Sequence, residues 1–386
     1  MYQRFMKQEL LDLAKGYPVV TLVGPRQSGK TTLVRETFSN KKYVNLEAID
    51  VQEMAKSDPR AFLESYPDGA ILDEIQRVPE LLSYIQVIVD EREEKGLFIL
   101  TGSHQLEVHQ AISQSLAGRT ALLCLLPMSG NELERAGIKL SLSQSLLLGG
   151  YPRIHKDKLD PSKAYRNYFQ TYVERDLRQL IRIKDLALFQ KFVRICAGRI
   201  GQLLNAEGIA NEVGVSSKTI KEWISILEAS FVIIRLQPYF ENFGKRLIKS
   251  PKLYFTDVGL ACFLLGIEND NQLERDPLRG NLIENLVLLE LMKHRLNQGK
   301  DPQLYFYRDV RGNEVDVLFK TGSQLVPIEI KAAKTFNKDF LKGLQFFSEL
   351  TDRCAKQGFL IYTGEQEQQI GSFELLNYLH APKVFS

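Results

Sequence analysis

Short apolar runs alternate with mixed helical segments through the first 155 residues of the chain. Runs of about five apolar residues that end at polar or turn residues are typical of buried strands in a parallel sheet. Such runs lie at Val19–Val23, Tyr43–Leu46, Ala70–Leu72, Leu97–Leu100 and Ala121–Leu126, and a helix is predicted over Glu80–Lys95. The pattern predicts an α/β domain with a parallel sheet, ending near Gly149-Gly150-Tyr151-Pro152.

The pattern changes to helical spacing after Asp157. Ala164–Ile183 reads as a long amphipathic helix, and a helix-turn-helix pattern follows it. The elements predicted there are a helix over Ala206–Val213, a turn at Gly214-Val215, a cap at Ser216, a helix over Ser217–Ala229 and strands over Phe231–Leu236 and Lys252–Phe255. A basic loop joins the two strands, so the arrangement predicts a winged-helix domain.

The last part of the chain returns to mixed helices and strands. The predicted elements are a helix over Leu282–Asn297, strands over Leu304–Arg308, Glu314–Lys320 and Gln324–Lys331, a helix over Asp339–Glu349 and a strand over Gln357–Tyr362. Together these patterns divide the 386 residues into an ATPase-like domain at 1–155, a helical or winged-helix domain at 156–270 and a third domain at 271–386.

Composition narrows the class of protein without choosing a function. Hydrophobic residues make up 44% and charged residues 25% of the chain, and the net charge of +3 permits nucleic acid as a partner without arguing for it. The four cysteines have no metal-ligand or redox spacing. The first residues lack the apolar core of a signal peptide, and no apolar run approaches the ~20 residues that cross a bilayer. We therefore expect a cytoplasmic protein with no membrane partner.

The segment that follows the first strand has the pattern of a phosphate-binding loop, G-x-x-x-x-G-K-[ST], between a strand and a helix. Glycines let the backbone curl around phosphate oxygens, the helix N-terminus adds positive charge, Lys30 reaches the β- and γ-phosphates and the Thr31 hydroxyl ligates Mg²⁺. The candidate nucleotide-binding residues are Gly24, Pro25, Arg26, Gln27, Ser28, Gly29, Lys30, Thr31 and Thr32. The sequence predicts that ATP and Mg²⁺ bind here.

Polar residues at the ends of the next strands complete this site. Asp73 is the predicted second ligand of Mg²⁺, and Glu74 is the predicted base for the attacking water. Thr101 and Ser103 are both candidates to bond the γ-phosphate or that water. Arg119 is a candidate to stabilise transition-state charge, in cis or from a neighbouring subunit, and a surface ion pair is the alternative.

Five motifs carry a resemblance over essentially the whole chain. They are Gly-Pro-Arg-Gln-Ser-Gly-Lys-Thr-Thr, Leu-Asp-Glu-Ile-Gln, Leu-Thr-Gly-Ser, Leu-Ala-Gly-Arg and Gly-Gly-Tyr-Pro, in this order. In this the chain resembles a group of prokaryotic AAA+-like ATPases with a C-terminal domain of unknown function related to PD-(D/E)xK nucleases. The resemblance implies an α/β P-loop ATPase domain of the AAA+/ASCE class, a winged-helix middle domain and a C-terminal restriction-endonuclease-like α/β domain.

The C-terminal part has carboxylates in a pattern that phosphodiester hydrolysis requires. Glu329 and Lys331 lie two apart on a strand and share a face, and Asp316 lies on the neighbouring strand. Asp316 and Glu329 are candidate Mg²⁺ ligands, and Lys331 is the candidate that positions water and stabilises negative charge. This set looks like the D…ExK core of PD-(D/E)xK nucleases, and Glu284 matches the helical acid that many of them add. Structural ion pairs in a non-catalytic domain are the alternative.

Two basic groups in the middle domain are candidates for DNA contact. They are Lys218, Thr219 and Lys221 at the start of the second helix, and Lys245, Arg246 and Lys249 on the wing. A protein-binding module or a lid over the ATPase is the alternative. The sequence thus predicts an ATP- and Mg²⁺-dependent ATPase that acts on DNA through a nuclease-like domain. The alternative is a nucleotide-switched signalling or interaction ATPase with a non-catalytic tail, and a homo-oligomer or a protein partner is possible in both.

Overall fold

A computed structural model of the protein describes residues 2–103, 115–174, 185–239 and 248–385. Contacts between Cα atoms divide the described residues into two compact units. One comprises the residues up to Met128 together with Ala229–Phe231 and Leu296–Lys300, and the other comprises the remaining described residues. In the part of the chain so described, no helix combines the length and the apolar character that a bilayer span requires.

The first unit contains a five-stranded parallel sheet with helices between its strands. Its elements are α1 (Lys7–Gly16), β1 (Val19–Val23), α2 (Lys30–Thr37), β2 (Lys42–Asn45), α3 (Ile49–Ser57), α4 (Pro59–Glu64), β3 (Ala70–Asp73), α5 (Leu81–Arg92), β4 (Phe98–Gly102) and β5 (Thr120–Cys124). Every residue of β1, β3 and β4 is buried, as the continuous apolar runs of a two-sided parallel sheet predict.

The strand order β2-β3-β4-β1-β5 brings the candidate residues to one edge of this sheet. All its pairings are parallel, so the carboxyl ends of β1, β3 and β4 lie at the same edge. Strand β4 lies between β1 and β3, although it follows both in the sequence. The predicted α/β domain with a parallel sheet is therefore confirmed, and the loop after β1 lies beside the ends of β3 and β4.

The described residues of the second unit begin with seven α-helices, and all but the first of them contribute to one apolar core. They are α6 (Gly130–Arg135), α7 (Leu142–Leu148), α8 (Pro152–Lys156), α9 (Pro161–Tyr168), α10 (Leu186–Ala197), α11 (Ala206–Val213) and α12 (Ser217–Ala229). The two helices of the predicted helix-turn-helix have the predicted bounds, and Ser216 Oγ accepts a hydrogen bond from the Thr219 amide at 3.1 Å. Trp223 packs on Phe189 and Phe192, which confirms that it is a core residue.

Two predicted elements of this region differ from the structure. The helix expected over Ala164–Ile183 begins at Pro161 as α9 and changes to a π-helical turn at Phe169–Glu174, and the rest of the expected range lies outside the described residues. The first wing strand begins at Ile233 rather than at Phe231, whose φ of 55° is left-handed and does not fit a strand.

The remainder of the second unit contains a β ribbon, four α-helices and a six-stranded mixed sheet among the described residues. The elements are β6 (Ile233–Leu236), β7 (Lys252–Phe255), α13 (Val258–Leu265), α14 (Asp270–Arg275), α15 (Arg279–Leu296), β8 (Leu304–Arg308), β9 (Glu314–Thr321), β10 (Gln324–Lys331), α16 (Lys342–Leu350), β11 (Gly358–Tyr362), β12 (Gln368–Ile370) and β13 (Phe373–Asn377). The sheet order is β12-β13-β11-β10-β9-β8. Strands β8, β9 and β10 are antiparallel, and β10, β11 and β13 are parallel.

Candidate functional sites

The loop between β1 and α2 depends on two glycines in the left-handed region. Gly24 has a φ of 149°, and a Cβ at this position would lie 2.2 Å from the Leu125 carbonyl oxygen, which follows β5. Gly29 has a φ of 95° and immediately precedes α2. The close approach of the backbone beside β5 explains the first glycine, and the left-handed turn into the helix explains the second. The N-terminus of α2 therefore faces the concave side of a loop built to cradle an anion.

Lys30 is the first residue of α2, and its ammonium is folded into the loop. It donates hydrogen bonds to the carbonyl oxygens of Gly24 at 2.8 Å and Pro25 at 2.9 Å, and the residue is buried. Burial lowers the pKa of Lys30, an effect that the carboxylates of Glu74 and Asp73 oppose. A buried ammonium bonded only to neutral carbonyls is well placed to gain from an anionic partner such as a phosphate.

Asp73, the last residue of β3, lies directly beside the first turn of α2. Thr31 Oγ1 is 3.1 and 3.0 Å from the two carboxylate oxygens of Asp73. Tyr43 on β2 donates its hydroxyl to Asp73 Oδ2 at 2.7 Å, and the Thr101 hydroxyl donates to Asp73 Oδ1. A threonine hydroxyl next to a buried carboxylate is a set of hard oxygen donors, so these residues fit Mg²⁺.

Glu74 follows Asp73 in a left-handed conformation, with a φ of 59°. Its amide donates to Thr101 Oγ1 at 3.2 Å, and its Oε2 accepts from Ser103 Oγ at 2.8 Å and from the Gln76 side-chain amide. Burial raises the pKa of Glu74, but the Lys30 charge and the Ser103 hydrogen bond outweigh it and leave the pKa below its ordinary value. The carboxylate is therefore ionised and oriented, as a base must be.

The other residues predicted for this site have different neighbours. Arg26 forms an ion pair with Glu47, with Nη2 and Oε1 3.0 Å apart. Arg119 forms a two-pronged pair with Asp90 on α5, at 2.6 and 2.8 Å. This is the surface ion pair that the sequence left open as the alternative. Ser28 contributes a buried hydroxyl that makes no hydrogen bond.

Three residues of this site were missed from the sequence. Arg4 is buried and donates to the carbonyl oxygens of Ser28 and Leu126, both at 2.7 Å. Tyr43 and Gln76 bond the two acidic residues. Nothing in the sequence of β2 indicates that the Tyr43 hydroxyl bonds Asp73. Arg4, before α1, becomes adjacent to the loop only through the fold.

The C-terminal carboxylates predicted from the sequence do come together. The Ile330 amide donates to Asp316 Oδ2 at 2.9 Å, and Lys331 Nζ lies 3.7 Å from the same oxygen and 2.8 Å from Glu329 Oε1. Glu329 is 7% exposed, and its Oε2 makes no hydrogen bond. Burial and the Asp316 charge raise the pKa of Glu329 to about 8. The absence of a hydrogen bond at Oε2 leaves this oxygen available to a cation, whose charge would favour the ionised form of Glu329.

Glu284 lies beside them on α15, in contact with a lysine that the sequence did not suggest. Lys252 Nζ is 3.0 Å from Glu284 Oε1 and 2.5 Å from Glu314 Oε1, and Tyr254 donates its hydroxyl to Glu284 Oε1 at 2.5 Å. Burial raises the pKa of Glu284 to about 6, against the Lys252 charge. Three acids around Lys252 outweigh the effect of burial and raise the pKa of its ammonium.

Asp316 and Glu329 pass a limited test as metal ligands. The unbonded Oε2 of Glu329 is a buried carboxylate oxygen, and carboxylate oxygens suit Mg²⁺. Within the described ranges, no group of three or more His, Cys, Asp or Glu side chains is arranged to hold a metal ion. The cluster thus fits a cation held by two carboxylates and not by three.

The candidate DNA-binding residues are only partly described. Lys218 and Lys221 are exposed at the start of α12, and Thr219 is half-buried there. Lys249 is exposed before β7. Lys245 and Arg246 lie outside the described residues. The two ammonium groups on α12 are therefore accessible to solvent.

Family comparisons divide the chain into three stretches. Residues 16–134 match an AAA domain, residues 139–271 a domain of unknown function (DUF8612) and residues 279–381 another domain of unknown function (DUF4143). The chain is 33% identical over 354 residues to the uncharacterized protein Rv2008c of Mycobacterium tuberculosis and to the uncharacterized protein Mb2031c of Mycobacterium bovis. Each alignment covers 90% of this chain and 77% of the relative.

Solved structures show weaker similarity. The Walker-type ATPase PABY2304 of Pyrococcus abyssi is 13% identical, with a TM-score of 0.46 over 68% of this chain and 96% of that chain. The AMPPCP-bound DnaA from Aquifex aeolicus is 16% identical, with a TM-score of 0.28 over 58% of this chain and 85% of that chain. Scores of this size carry no conclusion about the present chain.

Proposed function

This chain belongs to the family that includes the two uncharacterized mycobacterial proteins, and from that premise we propose that its ATP-binding AAA+-like ATPase domain uses Mg²⁺ and controls a nuclease-like site that acts on DNA. The contact of Thr31 with Asp73 is the observation that carries the Mg²⁺ part, since it joins a phosphate-binding loop to an acidic strand end. We further propose the three-domain division at 1–155, 156–270 and 271–386.

In this proposal the loop residues bind the triphosphate. The amides of residues 24–29 and the N-terminus of α2 face its oxygens, together with the side chains of Ser28 and Thr32. Lys30 exchanges its two carbonyl partners for phosphate oxygens. Thr31 and Asp73 would hold Mg²⁺, which supplies charge neutralisation at the phosphates when it is bound.

Glu74 acts as the base in this proposal. Its ionised carboxylate takes a proton from the attacking water, while Ser103 and Gln76 hold it in place. Thr101 links the two acidic residues, because its hydroxyl oxygen accepts a hydrogen bond from the Glu74 amide and its hydroxyl donates one to the Asp73 carboxylate. Arg119 remains our candidate for transition-state stabilisation. Its pair with Asp90 is exposed and screened by water, so exchanging that partner for a phosphate costs little.

The nuclease-like part of the proposal rests on the second carboxylate cluster. Asp316 and the unbonded oxygen of Glu329 would hold Mg²⁺, and Lys331 would stabilise charge on the phosphodiester. Glu284 completes the acidic surface from α15. The order of α15, β8, β9, β10, α16 and β11 supports a restriction-endonuclease-like fold, because it places the D…ExK residues on adjacent strands.

The winged-helix part of the proposal assigns DNA contact to α12 and to the ribbon of β6 and β7. Exposed Lys218 and Lys221 would contact phosphates with Thr219, and Lys245, Arg246 and Lys249 would do so from the loop before β7. Such contacts release counterions, so the affinity for DNA is expected to fall steeply as salt rises. Replacing Lys218 and Lys249 with glutamate should flatten that salt dependence.

A second candidate function is favoured by the bonding of Glu284. Lys252 and Tyr254 both contact its Oε1, as a structural ion-pair network would require. The chain would then be a nucleotide-switched interaction ATPase with a non-catalytic tail, and a protein or a second copy of the chain would be its partner. The two functions differ in whether DNA is cleaved.

The deciding experiment measures cleavage of linear, supercoiled and branched DNA with Mg²⁺, in the presence and absence of ATP, alongside phosphate release. We expect cleavage by the wild type, loss of cleavage in Asp316→Ala and loss of both ATP hydrolysis and its control of cleavage in Lys30→Ala. Asp339→Ala is the matched control, because Asp339 forms only an exposed pair with Lys342 in the same domain. Intact ATP hydrolysis without cleavage of any substrate would favour the interaction ATPase.

A further inference from the structure

Lys252 lies among the acids of the carboxylate cluster. Its ammonium lies within 4 Å of three carboxylates, at 3.0 Å from Glu284, 2.5 Å from Glu314 and 3.9 Å from Asp316. The side chain is only 3% exposed, although an unpaired buried ammonium is strongly disfavoured. The three acids therefore hold Lys252 as an internal cation.

Strand β7 carries this ammonium into the cluster and is fixed there from two sides. Asn285, next to Glu284 on α15, accepts from the Phe255 amide at 2.7 Å and donates to the Phe255 carbonyl at 2.9 Å. The segment after β6 pairs with β8, where the Tyr239 amide donates to the Phe306 carbonyl at 2.8 Å. The position of Lys252 is thus set by backbone hydrogen bonds and not by its own charge alone.

The acids of the cluster outnumber its bases by one. Four carboxyl groups (Glu284, Glu314, Asp316 and Glu329) face three cationic side chains (Lys252, Lys331 and Arg308). Oε2 of Glu329 is a buried oxygen of the cluster without a hydrogen bond. That side chain is about nine-tenths buried, so its orphaned oxygen points to a missing ligand.

We propose that the carboxylate cluster binds a single divalent cation, between Asp316 and Glu329, and that the Lys252 ammonium takes the place of the second cation of a two-metal site. This inference rests on the proposed metal-dependent function of the same cluster. Two-metal phosphodiester sites hold their ions about 3.5–4 Å apart, bridged by shared carboxylates. Asp316 would be the shared carboxylate here, since its Oδ1 lies 3.9 Å from Lys252 and its Oδ2 lies 3.7 Å from Lys331, which also contacts Glu329.

In this proposal the site is built from two of the stretches matched by family models. Lys252 comes from the stretch that matches the middle domain of unknown function, and the four carboxylates come from α15, β9 and β10. The middle stretch therefore supplies a charge that the C-terminal acids require.

The test counts Mn²⁺ ions bound by the full-length chain in isothermal titration calorimetry. An Asp73→Asn background removes the carboxylate of the ATP site. We expect one Mn²⁺ per chain in this parent, none in the parent with Glu329→Gln, and two with Lys252→Gln. Lys252→Arg, which retains the charge, should keep one. Thermal unfolding of each variant establishes that it is folded.

Electron paramagnetic resonance of bound Mn²⁺ in the parent gives a second reading that needs no change at Lys252. An isolated Mn²⁺ signal is expected, whereas an exchange-coupled pair would overturn the inference and leave the metal-dependent function standing. A folded Lys252→Gln variant that still binds one Mn²⁺ would also overturn the inference alone. A parent chain that binds no Mn²⁺ at this cluster would overturn both the inference and the proposed nuclease-like function.

Discussion

Arg4 holds the phosphate-binding loop against the segment that follows β5, and its removal should damage both stability and nucleotide binding. The guanidinium bonds the carbonyls of Ser28 and Leu126, both at 2.7 Å, and the residue is 6% exposed. Hydrogen bonds from a charged donor contribute about 1.5–3 kcal/mol each, so Arg4→Met should cost about 3–6 kcal/mol. At about 3 °C per kcal/mol, the melting temperature of the ATPase domain should fall by about 10 °C or more.

The loop should also lose its position for phosphate, because the Ser28 carbonyl lies within it. We expect about tenfold weaker binding of a fluorescent ATP analogue, equivalent to about 1.4 kcal/mol. Arg4→Lys keeps the charge without the fork and should recover only part of both effects. Arg92→Met is the matched control, since Arg92 bonds the Pro67 carbonyl and Glu94 at an exposed position. Unchanged melting and unchanged affinity in Arg4→Met would refute the reasoning. Lower stability with full affinity would restrict Arg4 to a structural role.

The other predictions concern the base Glu74, the loop glycine Gly24 and the ion pairs of Glu367. Glu74→Gln should lower kcat for phosphate release by about 10²–10⁴-fold while ATP binding remains, and equal loss of binding would contradict a role in chemistry. Gly24→Ala should abolish binding of the ATP analogue, because its Cβ would lie 2.2 Å from a backbone oxygen at a φ of 149°. Partial burial raises the pKa of Glu367, but hydrogen bonds from Lys383 and His380 lower it to about 2. Its stabilising effect is therefore present above the ordinary glutamate pKa of about 4.3 and lost toward pH 2, so Glu367→Gln should lower the melting temperature at pH 6 and not at pH 2.

The parts of the fold that could be predicted are those whose sequence pattern reflects burial on both faces. Strands β1, β8 and β10 have the predicted bounds, because each is a mostly apolar run that ends beside polar or turn residues. Strand β13 was missed, although Phe373–Asn377 pairs parallel to β11. The strand has only five residues and follows the three-residue β12 after a single turn, so its signal is weak although Leu375 and Leu376 are both buried.

The candidate ATP site was largely predictable because its residues follow strands of known direction. Asp73, Glu74 and Thr101 lie at carboxyl ends of parallel strands, and such ends meet at one edge of the sheet. Arg119 shows the limit of this reasoning. Its place before β5 left two roles open, and its hydrogen bonds to Asp90 depend on the packing of α5, which no local pattern states.

The role of Lys252 could not be predicted from the sequence, because its partner Glu284 becomes adjacent only through the fold. Lys252 and Tyr254 are two apart on β7, so both side chains project from the same face, and both contact Glu284. Asn285 on α15 bonds the Phe255 amide and carbonyl with its two polar side-chain atoms, so α15 packs against β7 beside the buried Lys252. Lys252 and Tyr254 on β7 therefore form one hydrogen-bonded cluster with Glu284 and Asn285 on α15. Replacing Asn285 with leucine should release β7, expose Lys252 and leave the carboxylates to repel one another.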